Sequence, residues 1–418
     1  MKMTKIVSLV LVIIMAATCL LACGDNGKTE GTKYELTMWV STTTDVDKFT
    51  LRMIDEFKAA HPEYNFTVTI EKVGEDNAAT EVLKDVKNAP DIYCFAQDQI
   101  SRLVQQEALA PLGVAASETV KKNNDAGSVA AATVGDEIYA YPMTSDNGYY
   151  LYYDKRIVSD EQAKTFDGII AACQAAGVKF GVNYSSGFYT AGFFFSQEVG
   201  GNGEPLCSSA WEYSADGKNP IKVTDTFNSN NGLVAMKMIQ SLASNKIIDD
   251  NSSDFEGTGA VISGIWKAGA AELAYGDYMK ATKLPTFEVG GKTYQMGSFS
   301  GYKYVGCKMQ TDDMKAKLCA DLALWLTSED VQMERYYEFQ WGPSNVNAQQ
   351  HDDVKDNALL KALAAQNKYA QQQGVIPNDW WTEVGALGKK CTEAGLTDAD
   401  LLAALQTYNE KINKMIVK

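Results

Sequence analysis

Short apolar runs alternate along this chain with stretches in which apolar residues recur every three to four positions. Residues 34–40 predict a buried strand. Residues 47–60 carry Leu51, Ile54 and Phe57, with Phe49 before them, a spacing that gathers apolar side chains on one helix face. His61-Pro62 ends that helix, because the residue before a proline avoids the α region. Residues 66–70 alternate as a strand, 78–86 return to helical spacing, 90–95 form a short apolar strand, and 98–106 are helical again. This βαβαβα order predicts a parallel sheet covered by helices. Residues 180–183, 260–263 and 304–307 read as further strands, and 314–327 and 357–372 as helices. The Thr-Asp-Ala-Asp start of 397–412 supplies that helix with an acidic N-terminal cap. No internal repeat is visible.

The first residues follow a different pattern. Lys2 and Lys5 precede an apolar run over 6–22 that only Ser8 and Thr18 interrupt. Such a run is short for a membrane span and has the flanks of a signal peptide, expected over residues 1–22. It ends in Leu20-Leu21-Ala22-Cys23, which resembles a bacterial lipobox. That resemblance implies cleavage before Cys23 and acylation of its thiol. The polar, glycine-bearing stretch that follows is expected to act as a tether over 23–33. Two or three acyl chains give a firm anchor where one gives marginal binding.

What remains of the 418 residues is enough for two domains, and no second apolar stretch approaches the length of a span. The net charge of −15 argues against nucleic acid as a partner, and against the body lying down on an anionic membrane. Six cysteines remain beyond Cys23: Cys94, Cys173, Cys207, Cys307, Cys319 and Cys391. None of their spacings matches a metal knuckle or a redox motif, and free buried thiols are expected.

Catalytic motifs are scarce. With two histidines, His61 and His351, a zinc site or a Ser-His-Asp triad has little to draw on. There is no phosphate-cradling Gly-Lys-Ser/Thr loop and no Gly-x-Ser-x-Gly elbow, and residues 42–47, after the first strand, hold no glycine. No catalytic residue, metal or cofactor is expected. A pair of carboxylates acting on a glycosidic bond stays open among 53 acidic residues.

The aromatic residues cluster instead: Trp39, Phe95, Tyr149-Tyr150, Phe188-Tyr189, Trp266, Tyr302, Trp341 and Trp380-Trp381. Several fall at strand ends beside polar residues, Ser41 and Thr42, Gln97 and Asp98, Asp146 and Asn147. A pyranose ring has an apolar face that aromatic rings cover and a rim of hydroxyls that Asp, Asn, Gln and indole N–H groups bond. Phe193–Phe195 and Tyr152-Tyr153 are assigned to the core, and so is Trp325, at helical spacing with Leu318, Leu322 and Leu326. Trp380-Trp381, after Ile376-Pro377-Asn378-Asp379, reads as a ligand-facing pair in a polar loop.

Several segments share their order with a known family. Asn88-Ala89-Pro90-Asp91-Ile92-Tyr93 and Phe95-Ala96-Gln97-Asp98 resemble its Gly-Pro-Asp-Ile stretch and Trp-Ala-His-Asp-Arg segment. Tyr139-Ala140-Tyr141-Pro142-Met143 resembles the passage to a second lobe, and Tyr152-Tyr153-Asp154-Lys155 its Tyr-Asn-Lys. Gly264-Ile265-Trp266, Leu284-Pro285-Thr286-Phe287 and Ile376-Pro377-Asn378 resemble its Gly-Pro-Trp turn, Leu-Pro-Thr-Phe and Met-Pro-Asn. The family is the extracellular solute-binding proteins of ATP-binding-cassette (ABC) sugar importers, and within it the maltose- and maltodextrin-binding proteins. Phe95 stands where the family has a sugar-binding Trp, Gln97 and Gln99 replace its His and Arg, and Ser41-Thr42 replaces a charged pair. The resemblance carries Asp98, Asp146, Tyr189, Trp266 and Trp381 over as ligand-binding positions.

It implies an α/β fold of two lobes with a ligand cleft between them, like the periplasmic binding proteins. The first lobe is expected over 34–143 and 299–341, the second over 144–298 and 342–418, with crossovers near 143–147, 287–300 and 342–346. The full candidate site is Trp39, Ser41, Phe95, Gln97, Asp98, Asp146, Tyr189, Trp266, Tyr302, Trp380 and Trp381. The expected partners are a soluble oligosaccharide, malto-oligosaccharide foremost, and the permease subunits of an ABC importer, for a monomer held to the outer face of the membrane by lipid. A surface glycoside hydrolase or a non-transporting glycan-binding lipoprotein is the alternative.

Overall fold

The computed structural model describes residues 32–215 and 218–417. The expected signal peptide, Cys23 and most of the tether lie outside the described residues.

Two five-stranded sheets organise the chain. The first runs in the order Phe66–Lys72, Tyr34–Val40, Ile92–Ala96, Lys303–Cys307, Tyr141–Thr144. Tyr34–Val40 pairs in parallel with both neighbours, as the βαβαβα pattern predicts. Lys303–Cys307 then enters antiparallel to Ile92–Ala96 and to Tyr141–Thr144, so the sheet is mixed. A strand was expected over 304–307, but no local pattern shows that it joins this sheet, some two hundred residues after its neighbour Ile92–Ala96.

The second sheet has the order Ile248–Asp249, Lys179–Gly181, Thr258–Gly264, Tyr149–Asp154, Met279–Thr282. Its strand Tyr149–Asp154 is buried on both faces. Tyr150 and Tyr152 point to the core that continues into the first lobe, while Tyr149, Leu151 and Tyr153 point to that of the second. That alternation is the period of a strand, and it explains a run of tyrosines with no polar face. The Tyr150 and Tyr152 hydroxyls satisfy each other at 2.7 Å.

The helix Val46–Ala60 forms where expected, but its buried face is Phe49, Met53, Ile54 and Phe57, and Leu51 is exposed. Each large apolar side chain removed from water there stabilises the lobe by about 1.5–3 kcal/mol. The first strand buries Leu36, Met38 and Val40 and leaves Glu35 and Thr37 exposed, so it is half-buried rather than fully so. The helical stretch expected over 78–86 is one turn, Ala78–Val82, followed by a 3-10 turn at Val86–Asn88. The helix expected over 357–372 ends early. Ala358–Gln366 is helical, and Ala370–Gln372 is a strand paired in parallel with Ser298–Ser300. Backbone bonding across the crossover outweighs local spacing there. Asp398–Ile412 begins with a capping box between Thr397 and Asp400.

The chain passes between lobes three times. Residues 145–148 join Tyr141–Thr144 to Tyr149–Asp154, residues 301–302 join Ser298–Ser300 to Lys303–Cys307, and the third passage leads into the helix Ala358–Gln366. Phe299 packs in the second core, although 299–341 was expected in the first lobe. Residues 343–346 stay beside the first lobe through bridges from Pro343 to Thr144 and from Asn345 to Asn124. The helices Ala358–Gln366, Asn378–Lys390 and Asp398–Ile412 then cover the second lobe. All six described cysteines are free and buried. Burial pushes the Cys173 thiol up to about 11 and those of Cys94 and Cys391 to about 12, so they stay protonated as small apolar groups. No helix among the described residues is long and apolar enough to cross a membrane.

Candidate functional site

Residues of both lobes line a cavity of about 1090 Å³. The ends of first-lobe strands deliver Ser41 and Thr42, Glu75 and Asp76, Asp98 and Lys303 to it. The second lobe supplies Phe188 and Tyr189 from the helix Gly187–Phe194, Trp266 from the turn Ile265–Lys267, and Trp381 from the helix Asn378–Lys390. Trp341, packed in the first core, lines the cavity as well. Several bonds already span the cleft. The Trp381 indole N–H donates to Asp98 Oδ2 at 3.1 Å, the Gln373 amide donates to Asp98 Oδ1 at 2.9 Å, and Lys303 Nζ sits 4.9 Å from the Trp266 ring centroid.

Two lobes, three crossovers and an aromatic, acid-lined cleft are the architecture of a protein that closes around a small solute. Across residues 52–362 the sequence matches the family model described as bacterial extracellular solute-binding protein. The chain belongs to this family. No curated protein matches the sequence. Among solved structures, one determined with acarbose aligns at TM-score 0.78 and 23% identity, covering 92% of this chain and 100% of that one. The maltodextrin-binding protein MalE1 from L. casei BL23, solved without ligand, aligns at TM-score 0.71 and 22% identity, covering 91% and 99%. The maltose/maltodextrin-binding domain MalE from Bdellovibrio bacteriovorus, bound to maltotriose, aligns at TM-score 0.72 and 18% identity, covering 91% and 100%. These likenesses fix the fold as that of two-lobe binding proteins.

In this solute-binding protein Ser41, Asp98, Tyr189, Trp266 and Trp381 line the cleft together. Glycines make room for them. A Cβ on Gly264 would fall 2.1 Å from the Trp266 ring, and one on Gly187 would fall 2.1 Å from the Trp381 carbonyl. Asp98 anchors a chain of amides, because Asn147 donates to the Gln373 Oε1 at 2.8 Å and Gln373 donates on to Asp98. Burial pushes the Asp98 carboxyl up to about 6, and the Arg102 charge and the Trp381 bond offset part of that rise.

The other candidates are placed elsewhere. Phe95 is fully buried between Tyr93 and Tyr304, with ring centroids 5.8 Å from each. It faces the core because Asp98, three residues on, is what the strand end turns toward the cleft. Trp380 is also fully buried. Its indole N–H donates to the Tyr408 hydroxyl at 2.7 Å, and its ring meets Trp381 edge-on at 4.9 Å. The pair sits on the first turn of a helix, not in a loop, and neighbours on a helix point to different sides. Trp39 is half-buried on the outer part of its strand, donating to Glu71 Oε2 at 2.9 Å, and lines no part of the cavity. Gln97 is buried behind the cleft, its backbone N–H donating to the Tyr302 carbonyl at 3.0 Å.

Asp146 and Tyr302 line a separate polar hollow of about 340 Å³ at the crossovers. Asp146 Oδ2 accepts the Gly342 backbone N–H at 2.7 Å, so it pins the first crossover to the chain just after Trp341. Burial raises its carboxyl, against the pull of Lys303. Glu75, Asp76, Lys303 and Gln373 are among the contributors that escaped the sequence reading. Lys303 had a visible signal, a lone charge heading the apolar strand 304–307. Among the described residues no group of His, Cys, Asp or Glu is placed to hold a metal.

Proposed function

We propose that this protein captures a soluble oligosaccharide, a malto-oligosaccharide foremost, and delivers it to the permease subunits of an ABC importer, acting as a binder and not an enzyme. One observation carries the reading: Trp266 and Trp381 enter the same cleft from the second lobe while Asp98 faces them from the first. Aromatic faces opposite a carboxylate match the apolar face and hydroxyl rim of a pyranose. Two of the structural neighbours were solved with acarbose and with maltotriose, which supports the same ligand class. The first lobe is taken as 34–144 with 303–357 and the second as 149–300 with 358–418, the residues between them forming the crossovers. Closure would stabilise one arrangement of both lobe surfaces for the permease. Cys23 would hold the monomer to the outer face of the membrane.

Titration calorimetry against maltose to maltoheptaose, raffinose and xylo-oligosaccharides tests the ligand class. Binding to one series without release of reducing ends is the expected result. Turnover of the bound sugar would favour the hydrolase, and no binding to any of them would refute the sugar reading.

A further inference from the structure

The cleft holds a buried ion pair, Lys303 with Glu75, whose acceptor oxygen has no hydrogen-bond partner among the described residues. Lys303 begins the strand Lys303–Cys307, and its main chain is pinned between Ala96 and Thr144. The residue is 5% exposed and its side chain runs between two indoles, with Nζ 4.9 Å from the Trp266 centroid and 5.0 Å from that of Trp341. Glu75 is 8% exposed, and its carbonyl accepts the Ala96 backbone N–H at 3.0 Å. Lys303 Nζ and Glu75 Oε1 are 3.8 Å apart, an ion pair but too far for a hydrogen bond. Glu75 Oε1 is buried with no hydrogen-bond partner among the described residues. Both residues line the large cavity.

A buried ammonium carries three donors, and a buried carboxylate oxygen accepts; leaving either unmade is costly. The indoles hold the lysine by cation–π attraction and by contact, so its position is set before a ligand arrives. A hydroxyl is the group that accepts from one partner and donates to the other. Hydrogen bonds of about 2.8 Å to each partner close a triangle over a 3.8 Å base. Asp98 differs, because Trp381 and Gln373 already bond both its oxygens.

We propose that Lys303 and Glu75 form a specificity-determining pair that reads one hydroxyl of the sugar stacked beside Trp266. The proposal rests on the sugar reading above. A site built to bond a hydroxyl rejects the analogue that lacks it far more strongly than an apolar pocket rejects a change of size.

The test is calorimetry on the full chain with maltotriose and its monodeoxy analogues, for the wild type, Lys303→Met and Glu75→Gln. If maltotriose does not bind, the tightest sugar of the panel replaces it. Each variant should bind the parent sugar at least about tenfold more weakly. One deoxy analogue should show the same loss with the wild type and little further loss with either variant, the non-additivity of two changes to one contact. Glu75→Gln keeps the side chain's volume, so it decides the matter if Lys303→Met does not fold. Parent-sugar affinity within about twofold of the wild type in the folded variants, or losses that simply add for every analogue, would overturn the pair while leaving the sugar reading intact. A wild type that binds no sugar of the panel would overturn both.

Discussion

Trp381 and Asp98 meet across the cleft, indole N–H to Oδ2 at 3.1 Å, although 283 residues separate them in the chain. The first lobe contributes the acid and the second the ring. Opening the cleft must break this bond, and a sugar entering it must share or replace it.

Removing either stacking face should therefore weaken sugar binding without much loss of stability. Trp266→Ala and Trp381→Ala are each expected to cost roughly 1–3 kcal/mol, by analogy with bases stacked on aromatic rings. That is about a ten- to hundredfold change in Kd. Trp325 is the control, half-buried against the first core with its N–H donating to the Met53 carbonyl at 3.1 Å. Trp325→Ala should lower Tm and leave affinity near the wild-type value. Equal affinities in both cleft variants and the wild type would refute this placement of the stacking faces.

Affinity should fall in mild acid. The Asp98 carboxyl is held at about 6, above its ordinary 3.8, so the folded chain binds its proton more tightly than the unfolded chain does. The stability this contributes is fully present below the ordinary value and is lost as pH rises through about 6. Sugar binding runs the other way, because a protonated Asp98 loses part of its acceptor capacity. Calorimetry at pH 7.5 and pH 5 should show weaker binding at the lower pH, and Asp98→Asn should remove the difference. A pH profile identical in wild type and variant would exclude Asp98 as the titrating group.

Trp380 should behave as a core residue despite its place beside Trp381. Trp380→Phe leaves the Tyr408 hydroxyl without its donor, and Tyr408 donates in turn to Asp225 at 2.7 Å. The loss should be about 1–3 kcal/mol in urea unfolding, with affinity changed only a few-fold. Unchanged stability with abolished binding would place Trp380 in the site after all.

The bonds from Trp381 and Gln373 to Asp98 belong to a closed arrangement. Small-angle scattering should show a smaller radius of gyration with saturating sugar than without. An unchanged radius would argue against hinge closure as the response to ligand.

The proposed anchor rests on one residue, Cys23. Full-length protein should fractionate with membranes, and Cys23→Ala should release it. Retention of the variant in the membrane fraction would point to a different attachment.

Much of the architecture was legible in the chain. The two-lobe arrangement came from the family resemblance, while the helices Val46–Ala60 and Asp398–Ile412 and the strands Tyr34–Val40 and Ile92–Ala96 follow from periodicity and caps. Those signals depend on neighbours a few residues apart, and burial of one face enforces them. Ser41, Asp98, Tyr189, Trp266 and Trp381, which line the cleft, were singled out by aromatic and polar residues coinciding at strand ends and turns and, for all but Ser41, by the family resemblance. What the chain could not show is which of two adjacent, chemically equal rings faces the ligand. Trp380 and Trp381 differ only through the packing of their helix, which Gly187, Gly385 and Gly388 let approach the backbone of the second lobe. Nor could it show that Lys303, a charge heading an apolar strand, lies between Trp266 and Trp341 opposite Glu75. Local pattern determines which segments coil or extend. The cleft is assembled from residues hundreds of positions apart, and only long-range packing decides which of them share it.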